Sequence, residues 1–317
     1  MTEVVVVGAG IAGIACAVEL SAAAVPVRVL ERARVLGGRM ASADLEGRPV
    51  DYGAAYFTVR NPEFAAVVEG WRSAGLARPW TSELTVFGPE GRATKAGPVR
   101  WAAPHGLRSL VVDLARDLDV TLNHEVHRVG PGPSVELDGD PADVVVLAMP
   151  DPQAERLLEV GSTAGAAVAG RPWRPVIAVT AAYGEREWAP LPAAFVNDHP
   201  VLSLIADDGD RRGDGAAVLV AHTTAAVARR HDGNPDGAVP EVLAALRELM
   251  DLQQRPRWTR AHRWRYAAPE SDRDTPFLLT DDGIGLVGDG WGRSSIETAW
   301  RSGTLLAREL LRTRLTE

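Results

Sequence analysis

The sequence predicts an α/β protein whose parallel sheet is covered on both faces, and three observations predict it. Val4-Val5-Val6-Val7 runs directly into Gly8-Ala9-Gly10-Ile11-Ala12-Gly13. Ala142 to Met149 is a near-continuous apolar run stopped by Pro150. Gly285 to Val287 is a short apolar strand, followed by Gly288-Asp289 and a helical stretch from Ile296 to Leu311. Unbroken apolar runs, rather than alternating ones, mark strands with no solvent face.

In the first unit each residue type has a mechanical reason. Gly8 permits the tight turn, Gly10 lets backbone approach a pyrophosphate, and Gly13 lets the following helix pack closely on the strand. A bare Gly-x-Gly-x-x-Gly is a weak signal. Here strand, turn, alanine-rich helix (Ile14 to Ala23), second strand (Val27 to Leu30) and terminal acid Glu31 occur in order. The unit therefore binds a dinucleotide, with the anion on the helix N-terminus at Gly10, Ile11 and Ala12 and the ribose hydroxyls on Glu31.

Composition sets bounds on the rest. At 317 residues the chain is long enough for two domains, and 46% hydrophobic and 24% charged residues are ordinary for a globular protein. The valines follow Glu3 without a basic leader and end at the glycine turn, so they read as a strand rather than a signal sequence, and a cytoplasmic location is expected. No long apolar segment suggests a membrane helix. A net charge of −8 argues against general nucleic-acid affinity. Cys16 is the single cysteine, so no intrachain disulfide or cysteine metal cluster is available, and its place in the first helix marks it as a core residue. No histidine spacing suggests a metal site: His124 and His127 would point to opposite faces of an extended segment, and His105 and His262 read as structural. Lys95 is the only lysine and lies in Arg92-Ala93-Thr94-Lys95-Ala96-Gly97-Pro98, which reads as a solvated, turn-rich segment.

The residues after Glu31 separate FAD from a nicotinamide cofactor. Gly37-Gly38-Arg39 allows a second close approach, and Arg39 adds positive charge to the pyrophosphate, an element a simple dehydrogenase does not need. At the other end, the Asp289 carboxylate is placed to accept hydrogen bonds from ribityl hydroxyls. The N-terminal amides of a helix from Ile296 could face the side of a flavin where negative charge gathers on reduction, and the same residues would also satisfy a capped C-terminal helix packed on the sheet.

The chain resembles the FAD-dependent amine oxidase superfamily, and more closely its renalase-like branch. The resemblance rests on Glu31-Arg32, Gly37-Gly38-Arg39-Met40, Asp51-Tyr52-Gly53-Ala54-Ala55-Tyr56-Phe57-Thr58-Val59-Arg60 and Pro104-His105-Gly106-Leu107. It continues through Ala142 to Pro150, Leu219 to Thr224, His262 to Ala267, Gly285 to Gly290 and Ile296 to Gly303. It implies non-covalent FAD in a Rossmann-type, p-hydroxybenzoate-hydroxylase-like domain with a discontinuous, β-sheet-rich substrate domain. The implied cofactor contacts are Gly8, Gly10, Ile11, Ala12, Gly13, Glu31, Arg32, Gly38, Arg39 and Met40. To these it adds Ala55, Tyr56, Phe57, Val126 near the adenine, Asp289, Ser295, Ile296 and Ala299. Two stretches depart from the resemblance: the acidic Asp207 to Asp214, read as a polar turn, and Ala225 to Ala228, which lacks an expected tryptophan and serine.

Breaks in pattern place the FAD-binding domain at 1–58, 98–155 and 278–317, and the substrate domain at 59–97 and 156–277. Trp71, Trp80, Trp173, Trp188, Trp258 and Trp264 fall in the latter. A helix is expected over Leu107 to Leu118 and an amphipathic one over Val239 to Leu252. Strands are expected over Val176 to Tyr183, Val201 to Ala206 and Ala217 to His222. Pro131, Pro133, Gly139 and Pro141 punctuate a hairpin between Val129 and Ala142.

No second strand-turn-helix glycine fingerprint exists for NAD(P)H, so a dihydronicotinamide would have to enter the substrate site itself. Resemblance to renalase-like enzymes implies that reaction: dihydro-NAD(P) isomers give hydride to flavin N5, and molecular oxygen takes the electrons as hydrogen peroxide. Tyr56, Arg60, His222, Trp264, Tyr266 and Trp291 are expected around the flavin or substrate, with Arg60 and Arg265 on anionic groups. Two further readings are an amine oxidase, desaturase or monooxygenase tailoring a specialised metabolite, and a flavin-binding sensor without turnover.

Overall fold

The computed structural model describes residues 2–130 and 135–314, so Pro131 and Pro133 lie outside the described residues. The chain starts with β1 (Val4–Val7), α1 (Ile11–Ala22) and β2 (Val27–Glu31). A hairpin of β3 (Ser42–Leu45) and β4 (Arg48–Asp51) leads to β5 (Phe57–Thr58) and α2 (Pro62–Ser73). Asn61 starts α2 by accepting from the amides of Glu63 and Phe64 at 2.9 and 3.0 Å. Next come the long strands β6 (Arg78–Gly88) and β7 (Gly91–Ala102), then α3 (Leu107–Leu114) and β8 (Asp119–Leu122). Short strands β9 (Val129–Gly130), β10 (Val135–Leu137) and β11 (Asp140–Ala142) precede β12 (Val144–Leu147), α4 (Asp151–Ala154) and α5 (Thr163–Val168).

The second half runs β13 (Trp173–Ala182), β14 (Ala193–Val196), β15 (Leu202–Asp207), α6 (Asp208–Arg212) and β16 (Val218–Thr223). It continues with α7 (Ala225–Arg230), α8 (Val239–Met250) and β17 (Trp258–Pro269). The chain then closes with β18 (Leu278–Leu279), β19 (Ile284–Leu286) and α9 (Ile296–Thr313).

Two sheets organise these elements. The first has order β18-β19-β12-β1-β2-β8, and β1 pairs in parallel with both β12 and β2. That central position accounts for the four valines: Val4, Val5 and Val6 are fully buried. Val4 and Val6 pack toward α1, α3 and α9, while Val5 and Val7 pack toward β9–β11 and α5. The sheet is covered on both faces, one of them by a small antiparallel sheet and short helices. This is the Rossmann-type α/β arrangement expected, joined to a sheet-rich second region.

That second sheet has order β17-β13-β16-β15-β14-β6-β7-β5. Ile177, Val179, Ile205, Leu219 and Ala221 point to α7 and α8. Its other face carries Ala182, Val218 and Val220 against Val50 of β4, and Leu84, Ala193 and Ala206 against Ala55. The segment from β3 to β5 is therefore sandwiched against this face. α2 packs Phe64, Val68 and Trp71 into the core shared with α1 and α9.

Three expectations are corrected. Arg92 to Pro98 is not a turn-rich segment but part of β7, because β6 supplies a continuous antiparallel partner from Glu83 to Gly88. Asp207 to Asp214 is not a polar surface turn: it ends β15 and forms α6, whose Asp208 and Arg211 are 0% and 1% exposed. Asp207 caps the helix through the Asp210 amide at 2.9 Å, and Gly213, at φ +82°, ends it. The expected helix over Leu107 to Leu118 stops at Leu114.

Candidate active site

The glycine turn is built so that side chains are excluded where packing is tight. A Cβ on Gly8, at φ +112°, would lie 2.6 Å from the Ala148 carbonyl oxygen, and one on Gly13 would lie 2.1 Å from the Gly8 oxygen. Gly10 differs: a Cβ there would meet nothing within 4 Å. Its constraint is external space, as expected where a ligand approaches the backbone. Gly10 is the N-cap of α1 and no side chain caps the helix, so the first-turn amides remain open to an anion. Gly37 and Gly38, at φ +111° and +51°, bring the second turn over this one, and a Cβ on Gly38 would lie 3.4 Å from the Gly10 Cα. Met40 is buried behind that turn.

The Glu31 carboxylate accepts from the amides of Ala9 and Ala33, both at 2.8 Å, which ties the glycine turn to the end of β2. Each oxygen retains a lone pair for a ribose hydroxyl. Arg32 beside it is exposed, and Val126 is buried in the core between β8 and β9.

Arg39 and Asp289, expected to act separately, are brought together across 250 positions of sequence. Nη1 and Nη2 of Arg39 lie 3.0 and 2.5 Å from the two Asp289 oxygens, and the guanidinium lies 5.1 Å over the Trp173 ring. The Ser294 hydroxyl also donates to Asp289 at 2.5 Å. Beyond them, Ser295 caps α9 by accepting from the Thr298 amide at 3.0 Å, and the Ile296 and Glu297 amides have no partner among the described residues. Ile296 is half-buried and Ala299 is buried. The open space at Gly10, the uncapped α1 amides and the charged pair at the end of the crossing turns fit a dinucleotide with a polyol linker, as FAD has.

The segment from Asp51 to Tyr56 is fastened from both sides. Arg39's carbonyl accepts from the Ala54 amide at 2.9 Å, and a Cβ on Gly53 would lie 2.0 Å from that same oxygen. From α6, Arg211 donates to the carbonyls of Ala55 and Asp51 at 2.9 and 3.0 Å. Arg212 reaches Asp51 at 2.9 Å and Asp208 at 3.1 Å, and Arg48 pairs with Asp208 and Asp214 at 2.5 and 2.7 Å. Burial opposes ionisation of Asp208, but the surrounding Arg211, Arg212 and Arg48 charges outweigh it and hold the carboxyl below its ordinary range. Asp51 also accepts from the Leu107 amide at 2.9 Å, which joins this brace to α3.

The expected substrate residues are distributed unevenly. His222 on β16 and His262 on β17 both lie opposite Ala178 of β13, so they share the face that looks toward segment 51–56. Among the described residues His222 Nε2 is buried without a partner, and burial with the nearby Arg211 charge pushes its pKa down to about 4. Burial, helped by Arg260, also lowers His262. Trp264 donates from its indole to the Tyr52 carbonyl at 2.8 Å and stacks on the Tyr52 ring at 5.7 Å. His262 closes that cluster, 4.7 Å from Tyr52 and 4.5 Å from Trp264. Tyr56 is half-buried between Trp80, 6.5 Å away, and the Arg100 guanidinium, 5.7 Å away.

Tyr266 lies at the periphery, its hydroxyl accepting from exposed Arg156 at 2.9 Å. Arg60 is exposed, and its amide, not its guanidinium, is held by Glu297 at 2.6 Å. Trp291 is in the core with Val5 and Val7, under the Arg273 guanidinium at 4.1 Å. Phe57 packs its ring within 6.3 Å of Phe64, Trp71 and Trp101, and Ala55 is buried beside it. The sequence reading missed Tyr52, Arg100, Asp151, Arg211 and Arg273. Asp151 accepts from Trp173 at 2.9 Å and pairs with Arg273, which fixes the Gly290 carbonyl at 2.8 Å. No spacing links these residues; the nearest signal is Asp151 following the strand-ending Pro150.

Comparison with known proteins gives two family matches. A model described as NAD(P)-binding Rossmann-like domain matches residues 6–71, and one described as flavin containing amine oxidoreductase matches residues 69–311. A hydroxyneurosporene desaturase of Rubrivivax gelatinosus is 46% identical over 58 residues, 18% of this chain but 11% of that protein. Among solved structures, a protein from Exiguobacterium sp. 255-15 assigned as a protoporphyrinogen oxidase superposes with a TM-score of 0.80 at 13% identity, covering 98% of both chains. Cyclohexylamine oxidase from Brevibacterium oxydans IH-35A gives 0.78 at 14% identity over 100% of both. At those identities the likeness concerns the fold.

Proposed function

Because the chain belongs to the flavin containing amine oxidoreductase family and is an FAD-dependent oxidoreductase, we propose that it is of renalase type, acting in the cytoplasm on dihydro-NAD(P) isomers or a related small substrate. Bound FAD supplies the hydride acceptor, with dioxygen as the final oxidant and hydrogen peroxide as product. The observation that carries the reading is that, among the described residues, the sheet face opposite segment 51–56 presents two imidazoles whose basicity burial lowers and no lysine. The single lysine, Lys95, is exposed on β7, whereas amine oxidation in this superfamily often relies on a lysine-held water near the flavin. The two imidazoles on that face are weakened as bases by burial. A dihydropyridine needs no base, since its hydride leaves an aromatic pyridinium behind.

The protein's part is then to bind, orient and exclude water. Gly8, Gly10, Gly13 and Gly38 form the phosphate seat, and Arg39 and Asp289 fix the end of the two turns. Tyr52, His262 and Trp264 form a rigid aromatic wall, and Arg211 keeps Tyr56 in place by holding the Ala55 carbonyl. His222 and His262, uncharged at neutral pH, do not repel a product that acquires positive charge.

The test is anaerobic mixing of the FAD-loaded protein with dihydro-NAD(P) isomers, which should bleach the flavin band within seconds, equally in wild type and Lys95→Ala. Inert dihydropyridines together with bleaching by primary amines would assign the chain to amine oxidation instead. Failure of every donor would leave the flavin-binding sensor.

A further inference from the structure

We propose that Arg100 is the anion-recognising residue of the substrate site and takes a carboxylate or phosphate of the substrate. The inference rests on reading the face around Tyr56 as that site. Arg100 lies on β7 opposite Thr58 of β5 and Thr81 of β6, and its guanidinium carbon is 5.7 Å from the centre of the Tyr56 ring.

Its environment sets it apart from the other buried arginines. Arg211 and Arg212 are each paired with Asp208 and Asp51. Arg100 is 8% exposed, yet among the described residues it has no carboxylate partner. Nη1 donates to the carbonyls of Ser82 and Pro98, both at a long 3.2 Å, and Nε is buried with no partner. A buried guanidinium in that condition is under-compensated, and an oxyanion supplies the missing charge and hydrogen bonds. The planar fork suits a carboxylate or phosphate in two-point contact. The backbone leaves it room: a Cβ at Gly97 would sit 3.0 Å from Nη2.

The arginines that the sequence suggested for anions are placed less well. Arg60 is exposed, and Arg265, with its side chain 52% exposed, lies 3.7 Å from Asp232. A solvated charge discriminates weakly. For a dihydronicotinamide substrate the recognised group would be a phosphate; for an amino-acid-like substrate, a carboxylate.

The experiment uses the FAD-loaded full chain. Benzoate and inorganic phosphate are titrated separately by calorimetry into wild type, Arg100→Met and Arg100→Lys. Wild type should bind at least one of them, Arg100→Met at least tenfold more weakly, and Arg100→Lys should fall between. Tighter binding of benzoate assigns a carboxylate, and of phosphate a phosphate. Equal binding by wild type and Arg100→Met, or no binding by wild type at millimolar concentration, overturns the proposal. If Arg100→Met does not retain FAD, Arg100→Lys decides, since it keeps the charge but loses the fork; wild-type affinity in that variant is then the overturning result. A second arm compares dihydronicotinamide mononucleotide with the phosphate-free riboside. Wild type should favour the mononucleotide in kcat/KM, and Arg100→Lys should shrink that preference. Arg100-dependent anion binding alongside inert dihydropyridines would remove the renalase-type reading and leave this site standing.

Discussion

The glycine turn between β1 and α1 and the α6 corner beneath the second sheet each hold backbone next to the expected cofactor, by opposite means. The first does so by subtraction: Gly8 and Gly13, together with Gly303 of α9 packed against α1, remove side chains so that backbone meets backbone, with a Cβ on Gly303 falling 1.9 Å from the Ala12 carbonyl oxygen. The second does so by charge, with Arg48, Arg211 and Arg212 around Asp51 and Asp208 holding the carbonyls of Asp51 and Ala55. Close apolar packing tolerates no added atom, whereas a buried ion cluster tolerates no missing one. The two regions therefore fail under different kinds of substitution.

Adding atoms to the first region should have the largest effect. Gly303→Val forces α9 away from α1 along their contact, and soluble FAD-loaded protein should be lost, as read by the yield of yellow protein after purification; normal yield would break the contrast. Removing a charge from the second comes next. Asp208→Asn leaves three guanidinium groups around a neutral amide, and breaking a buried ion pair from one side costs about 3–5 kcal/mol. A fall in melting temperature on the order of 10 °C is expected by calorimetry. A shift within one or two degrees would mean that the cluster contributes little.

The smallest effect concerns the reach of the α6 charges. Burial, with the nearby Arg211 charge adding to it, lowers His222 from 6.5 to about 4, so between those values the unfolded chain binds a proton there and the folded chain does not. Stability should thus be present in full above pH 6.5 and decline as pH falls through that window. The slope due to this group is at most about 1.4 kcal/mol per pH unit. Denaturant titrations of wild type and His222→Gln at pH 7 and pH 5 should show a flatter dependence in the variant.

The same contrast explains what could be read in the sequence. Constraints that act between neighbours in the chain leave a local pattern: Val4 to Val7 identify the sheet centre, and the glycine spacing and Glu31 the proposed phosphate seat. The paired halves of β13, β15 and β16 show in their apolar runs for the same reason. Asp207 to Asp214 looked like a solvated turn because its charges are satisfied from β4 and from Asp51, more than 150 positions away. Arg100 looked like one arginine among 33, and only burial without a carboxylate distinguishes it. Trp291 is also placed by packing from far along the chain. An aromatic beside Asp289 suggests a ring at the flavin, but the turn at Gly292, with φ +143°, follows a side chain directed into the first sheet's core. Arg92 to Pro98 carries turn-forming residues, yet a long antiparallel partner in β6 overrides them.

Cys16 is fully buried in α1, and burial, with Glu19 nearby, raises its thiol to about 12. It is therefore chemically silent toward maleimides and similar reagents at neutral pH, which attack the thiolate. Cysteines introduced on the surface would react while Cys16 stayed silent. Pairs of spin labels or fluorophores on the β6–β7 hairpin and on α9 could then measure the separation of the two sheets with and without substrate, and no native cysteine would first have to be removed.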